Sequence, residues 1–178
     1  MDKTKESVSK MKLRPLEKRD LSYIYEQENS RRVMALWFEE PYSSFDELQI
    51  LYDRHILDQT ERRFVIEDNE SFIGVVELMD IDTLHRHTEI QIIIHSKYQG
   101  HGYAQSAMKA GIEYAFTVLN MHKVYLYVDV KNAAAVHIYK KIGFIAEGTL
   151  REHFFAEGRY HDSLMMGIFK SEFEKSTK

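Results

Sequence analysis

The stretch Gln91–Leu119, QIIIHSKYQGHGYAQSAMKAGIEYAFTVL, decides how the chain is read. Thr88 to His95 alternates as TEIQ and then becomes continuously apolar and rich in isoleucine, which predicts a central strand covered on both faces. Gly100 and Gly102 bracket His101. From Ala104 onward, Ala107, Met108, Gly111, Ile112, Ala115 and Phe116 recur at helical spacing. A strand, a glycine turn and a helix aim unpaired backbone N–H groups at one point, at the positive end of the helix dipole. That arrangement suits a phosphate or pyrophosphate. Glycines serve there because a Cβ would obstruct both the turn and the ligand.

Three phosphate-binding patterns compete for this turn. A P-loop needs Lys followed by Ser or Thr after its last glycine, and Tyr103-Ala104 supply neither. The Rossmann fingerprint finds its first two glycines in Gly100 and Gly102, but Gln105 stands where the third belongs. The pattern Gln/Arg-x-x-Gly-x-Gly/Ala is complete in Gln99-Gly100-His101-Gly102-Tyr103-Ala104, and it resembles the coenzyme A pyrophosphate loop of the GCN5-related N-acetyltransferases. Downstream, VYLYVDV (Val124–Val130) alternates like a half-buried strand. It is followed by Asn132, a short helix carrying Tyr139, and Gly143-Phe144, an order similar to the second half of that superfamily's cofactor site. On spacing alone Tyr139 reads as a core helix aromatic; beside both motifs it becomes a site residue. The resemblance implies an α/β fold, a mixed and mostly antiparallel sheet flanked by helices. It also implies acetyl-CoA contacts from Ile92, Ile93, Ile94, Gln99 through Gln105, Asn132 and Lys141.

Composition sets the bounds. At 178 residues and 44% hydrophobic, the chain suits a single core. The expected organisation is a domain over residues 10–170 with polar tails at 1–9 and 171–178. No apolar run approaches the ~20 residues of a membrane span, and MDKTKESVSK is polar, so a cytoplasmic protein is expected. The absence of cysteine removes disulfides, thiolate zinc sites and an acyl-cysteine intermediate. A net charge of -4 without a basic stripe argues against nucleic acid and accommodates a cationic partner.

In chain order, Lys10–Leu16 predicts a strand, and Asp20 opens a helix that fades near Asn29-Ser30. Met34–Tyr42 reads as a covering loop ended by Pro41. Ser44-Phe45-Asp46-Glu47 is a capping box for a helix ending by Asp58. Strands at Arg62–Glu67 and Ser71–Met79 flank the turn Asp68-Asn69-Glu70, and Asp80–Arg86 reads as a link to the central strand. Segments ending at Phe155 and starting at Arg159 flank a second turn, Ala156-Glu157-Gly158.

A closer resemblance rests on WFEEPYSSFDEL (Trp37–Leu48), ERRFVIED (Glu61–Asp68) and LHRHTEIQIII (Leu84–Ile94). It also rests on Glu152-His153-Phe154-Phe155 with Glu157-Gly158-Arg159-Tyr160. Together these are similar to the bacterial spermidine/spermine N-acetyltransferases, from about Leu13 to Phe169. The resemblance implies polyamine contacts from Met34, Glu39, Glu47, His55, Ile56, Leu57, Asp58, Glu89, Ile90 and Gln91, some in the cleft and some in a regulatory pocket. It implies a homo-oligomer, commonly a dodecamer, and allows a divalent ion such as Mg or Ca at Glu39 and Asp80. Polycations spaced by methylenes fit distributed carboxylates between apolar walls, although each carboxylate alone reads as an ordinary surface residue.

Acetyl transfer to a primary amine requires three things of the chain. A carboxylate, Glu89 or another in the cleft, takes the ammonium proton; a strand N–H at Ile92–Ile94 meets the developing oxyanion; and Tyr139 serves the leaving thiolate as general acid. His85-x-His87 lacks a third ligand and reads as surface or interface. The competing functions are acetylation of a protein N-terminus, as of a ribosomal protein, and a non-catalytic polyamine or CoA sensor.

Overall fold

The computed structural model describes residues 10–37, 40–41 and 43–176. Seven strands form one sheet: β1 (Lys12–Pro15), β2 (Arg62–Asp68), β3 (Ser71–Asp82), β4 (His87–Ile94), β5 (Lys123–Asp129), β6 (Ile145–Ala156) and β7 (Arg159–Phe169). Their spatial order is β1-β2-β3-β4-β5-β7-β6. Neighbours run antiparallel except β4 and β5, which are parallel and joined by the crossover helix α4 (Tyr103–Thr117). The remaining helices are α1 (Leu21–Glu28), α2 (Arg31–Trp37), α3 (Phe45–His55), α5 (Ala133–Ile142) and α6 (Lys170–Ser176).

The sheet alternates between two cores. Val65, Phe72, Val75 and Ile93 meet Leu21, Ile24 and Leu48 from α1 and α3 on one face. Ile66, Val76, Leu78 and Ile90, with Val124, Leu126, Met166 and Ile168, meet Ala107, Met108 and Ile112 of α4 and Ile142 of α5 on the other. A strand covered on both sides has no polar face to show, which is why the end of β4, Ile92–Ile94, reads as unbroken isoleucine. Helix α4 comes close because residue 111 is glycine: a Cβ there would stand 2.8 Å from Val76 Cγ1. The hairpin turns have two consecutive positive φ values, at Asn69 and Glu70 and at Glu157 and Gly158, as the twist of flanking strands favours.

Three expectations need correction. Met34–Trp37 is helical rather than loop: the chain restarts as α2 after Ser30, whose carbonyl accepts from Met34 N–H at 3.0 Å. The run VMALW buries Met34 without an amphipathic signature. The link assigned to Asp80–Arg86 is partly strand. A bulge with Asp80 at positive φ carries β3 on to Asp82, burying Ile81, whose N–H donates to Thr60 at 2.9 Å. The expected C-terminal tail contains α6, which buries Phe173 against Phe116 with ring centroids 5.8 Å apart. Its single large apolar residue gives no periodicity to read. The N-terminal tail expected at 1–9 lies outside the described residues.

Candidate active site

Parallel pairing of β4 with β5 joins His87 to Lys123, Thr88 to Val124 and Glu89 to Tyr125, and stops there. Beyond that point β5 remains fully engaged with β7 while β4 remains paired with β3, so the sheet splits. A cavity of about 630 Å³ occupies the split. That size is suited to a small-molecule ligand. The edge of β4 from Ile90 to Ile94 that faces away from β3 is thereby turned into the cavity.

Two helix N-termini converge on the same space. Gly102 caps α4 with φ +84° and no side-chain cap, leaving first-turn N–H groups without intrahelical acceptors beside the lining residues Tyr103, Ala104 and Gln105. Asn132 caps α5 by accepting from Ala135 N–H at 3.1 Å, and it too lines the cavity. The turn preceding α4 is fastened from within. Gln99 donates from its side chain to the Ile94 carbonyl at 3.0 Å, tying the loop to the end of β4. The buried Tyr103 hydroxyl donates to Asp68 of β2 at 2.6 Å, tying the helix start to the sheet. Asp68 was not singled out from the sequence, where it read as a turn residue.

Tyr139 projects from the second turn of α5 into the cavity, its ring packed 6.0 Å from Phe144. Burial pushes its phenol up to about 12, so it holds its proton across the physiological range. Towards the other end stand Glu89, Gln91 and Tyr127. Gln91 donates to Glu89 at 2.8 Å. Burial raises the Tyr127 phenol and the charges of Glu89 and Asp80 raise it further; Tyr125 is raised by the same causes. One carboxylate, Glu89, and the Tyr127 ring thus stand together on the β4 and β5 walls, while helix N-termini contribute backbone donors elsewhere in the lining.

A family model of the acetyltransferase (GNAT) domain matches residues 10–145. The chain belongs to that family. It is 50% identical over 167 residues to the spermidine N(1)-acetyltransferase of Escherichia coli (strain K12), covering 94% of this chain and 90% of that one. It is 49% identical over 166 residues to the spermidine N(1)-acetyltransferase of Vibrio cholerae serotype O1, covering 93% and 96%. A crystal structure of the Vibrio cholerae spermidine N-acetyltransferase in complex with CoA and spermine superposes with a TM-score of 0.91 at 49% identity, over 93% of this chain and 99% of that one.

The acetyltransferase brings Ile92, Ile93, Ile94, Gln99, Gly100, Gly102, Tyr103, Ala104, Gln105, Asn132 and Tyr139 to one cavity, with Glu89, Ile90 and Gln91 at its far end. His101 and Lys141 are exposed and do not line it. Val33 of α2, unmarked in the sequence, does. Met34 beside it is buried in the core and faces elsewhere.

Glu47 and His55–Asp58 stand on α3 and just after it, apart from the cavity. Glu47 is occupied in the capping box, accepting from Ser44 N–H at 2.7 Å while Ser44 Oγ accepts from Glu47 N–H at 3.2 Å. The Ser44 backbone bond holds its carboxyl below the usual range. Asp58 is likewise lowered, by the Thr60 hydroxyl and then the Thr60 N–H, both at 2.7 Å. Burial and then Arg63 push His55 down. Glu39 lies outside the described residues. Its expected metal partner, Asp80, is exposed, and among the described residues no three His, Asp or Glu side chains gather to hold a cation. No described helix is long and apolar enough to cross a membrane.

Proposed function

We propose that this acetyltransferase moves the acetyl group of acetyl-CoA onto a primary amine of spermidine or spermine, in the cytoplasm where both are available. The observation that carries this is the polarity of the cavity between β4 and β5. The N-terminus of α4, which has no side-chain cap, and the Asn132-capped N-terminus of α5 suit the anionic donor at one end, and Glu89 with Tyr127 suits a cationic, methylene-spaced acceptor at the other. Identity near one half to proteins named as spermidine N-acetyltransferases, over nearly all of the chain, supports the same acceptor.

The acceptor amine titrates near ~10 and enters as an ammonium, so a proton must leave before nitrogen attacks. Glu89 is the cleft carboxylate positioned to receive it, oriented by Gln91. The neutral nitrogen then bonds to the acetyl carbon, and the turned edge of β4 at Ile92–Ile94 offers N–H groups to the developing oxyanion. The carbon–sulfur bond breaks as the nitrogen loses its second proton and sulfur gains one. Tyr139 serves the sulfur. A phenol near 12 facing a thiol of about 8.5 donates a hydrogen bond to the thiolate more readily than it surrenders its proton. Its part is therefore to stabilise the leaving group while the proton released by nitrogen completes the thiol. With no cysteine in the chain, direct transfer is the simplest route.

The cluster at Glu47 and His55–Asp58, outside the cavity, is the proposed regulatory polyamine site. Exposed Ile50, Leu51, Ile56 and Leu57 on and beyond α3 support assembly into a homo-oligomer, a dodecamer by family resemblance.

The test is release of free CoA from acetyl-CoA with spermidine, spermine, lysine and an N-terminal peptide supplied separately. Saturable turnover with the polyamines is expected. Turnover with the peptide alone would replace the acceptor by a protein N-terminus, and none with any acceptor would leave a sensor.

A further inference from the structure

The β6–β7 ladder is interrupted beside the acceptor end of the cavity. Pairing runs from Ile145 opposite Gly167 to Leu150 opposite Ser163, then resumes with Phe154 opposite His161. Arg151, Glu152 and His153 therefore stand against Asp162 alone. The hairpin's own turn lies further on at Glu157-Gly158, so the irregularity is not needed to reverse the chain. Glu152 takes a left-handed φ of +49°, unfavourable for a residue with a Cβ, and its N–H is fixed by Asp162 Oδ1 at 2.8 Å. Bulges of this kind re-aim a side chain.

The side chain re-aimed is His153. Its Nδ1 lies 2.7 Å from the hydroxyl of the fully buried Ser163, and its ring packs 5.1 Å from Tyr127 at an interplanar angle of 51°. Tyr127 meets Tyr125 edge-on from another side, with centroids 5.8 Å apart and an angle of 77°. It is thus held between two rings while it lines the cavity together with Glu89.

We propose that Tyr127 is a specificity-determining residue, the aromatic wall along which the acceptor's methylene chain and second ammonium lie. His153, fastened to Ser163 by the β6 bulge, is its positioning residue. The inference rests on the polyamine acceptor proposed above. An aromatic face next to carboxylates attracts an ammonium and covers the methylenes that lead to it. An amine with no second cation receives the same chemistry at the reacting nitrogen without that contact. The wall therefore governs preference among acceptors and leaves the donor's end of the cavity alone.

The experiment is steady-state kinetics of the full-length chain with spermidine and with n-butylamine, reading KM for each amine, KM for acetyl-CoA, and the ratio of the two kcat/KM values. In Tyr127→Leu that ratio is expected to fall roughly 3- to 30-fold, the span of a cation–π contact, through KM for spermidine. Tyr127→Phe keeps the ring and retains more of the preference. His153→Ala lowers the ratio in the same direction, and in combination with Tyr127→Leu adds nothing further, because it acts through Tyr127. An unchanged KM for acetyl-CoA shows that the variants remain folded. Equal losses with both amines, additive losses in the double variant, or a parallel rise in KM for acetyl-CoA would overturn the inference while leaving polyamine acetylation standing. No turnover of spermidine by the native chain would remove both.

Discussion

The two ends of the cavity are built from different materials. At the end proposed for the donor the groups lining the cavity are largely main-chain: the loop through Gly100 and Gly102, the first turn of α4, the start of α5 and the freed edge of β4. At the end proposed for the acceptor they are side chains, Glu89 and Gln91 from β4 and Tyr127 from β5, with His153 of β6 packed against the last. A backbone site needs a conformation and therefore leaves glycines and caps at fixed spacing. A side-chain site needs only that distant strands meet, and leaves no local spelling.

Separation of the two ends makes the consequences of substitution separable. The largest effect is expected between them. Tyr139→Phe should lower kcat by about 100-fold or more, the range of a lost hydrogen-bond donor to developing charge, with acetyl-CoA affinity measured by calorimetry unchanged. A large loss of affinity would make Tyr139 part of the donor pocket instead.

Next comes Gly102→Val, which forces a β-branched residue to φ +84°. Strain of roughly 1–3 kcal/mol should raise KM for acetyl-CoA about tenfold while KM for spermidine holds. Movement of both constants would mean that the two ends do not act independently.

Tyr103→Phe should show mainly in stability. It removes the donor to a buried carboxylate whose other oxygen, Asp68 Oδ1, already has no hydrogen-bond partner among the described residues. About 1–3 kcal/mol should be lost on thermal or urea unfolding. Melting should fall by roughly 2–4 °C for each kcal/mol.

The smallest expected effect is on the alkaline side of the kcat–pH profile. The role proposed for Tyr139 needs its protonated form, and burial pushes its phenol up to about 12, so that contribution would be lost only as pH rises through that value. No decline attributable to it should appear up to about pH 10. A limb near 9 belonging to Tyr139 would show that the phenol is not buried as described.

How much was legible follows the same division. Asn132 stood out only through the superfamily resemblance, whereas Gly102 and the isoleucine strand could be read because turn and two-sided burial each constrain residue type locally. So could the Ser44/Glu47 capping box, both of whose bonds are formed. Tyr127 looked like one more strand aromatic, since nothing in VYLYVDV tells which ring meets a cavity made by the neighbouring strand's departure. Asp68 looked like a turn residue because its partner is 35 positions away. His153 is aimed by a bulge, and a bulge has no periodicity. Helix α2 is not legible because VMALW is apolar throughout and so carries no helical periodicity.

The most direct test of a single two-ended cavity is an initial-rate study varying acetyl-CoA and spermidine together. If both occupy the cleft at once and nitrogen attacks the thioester directly, double-reciprocal lines will intersect, the mark of a ternary complex. Parallel lines, the fingerprint of a covalent acetyl-enzyme, would contradict the account.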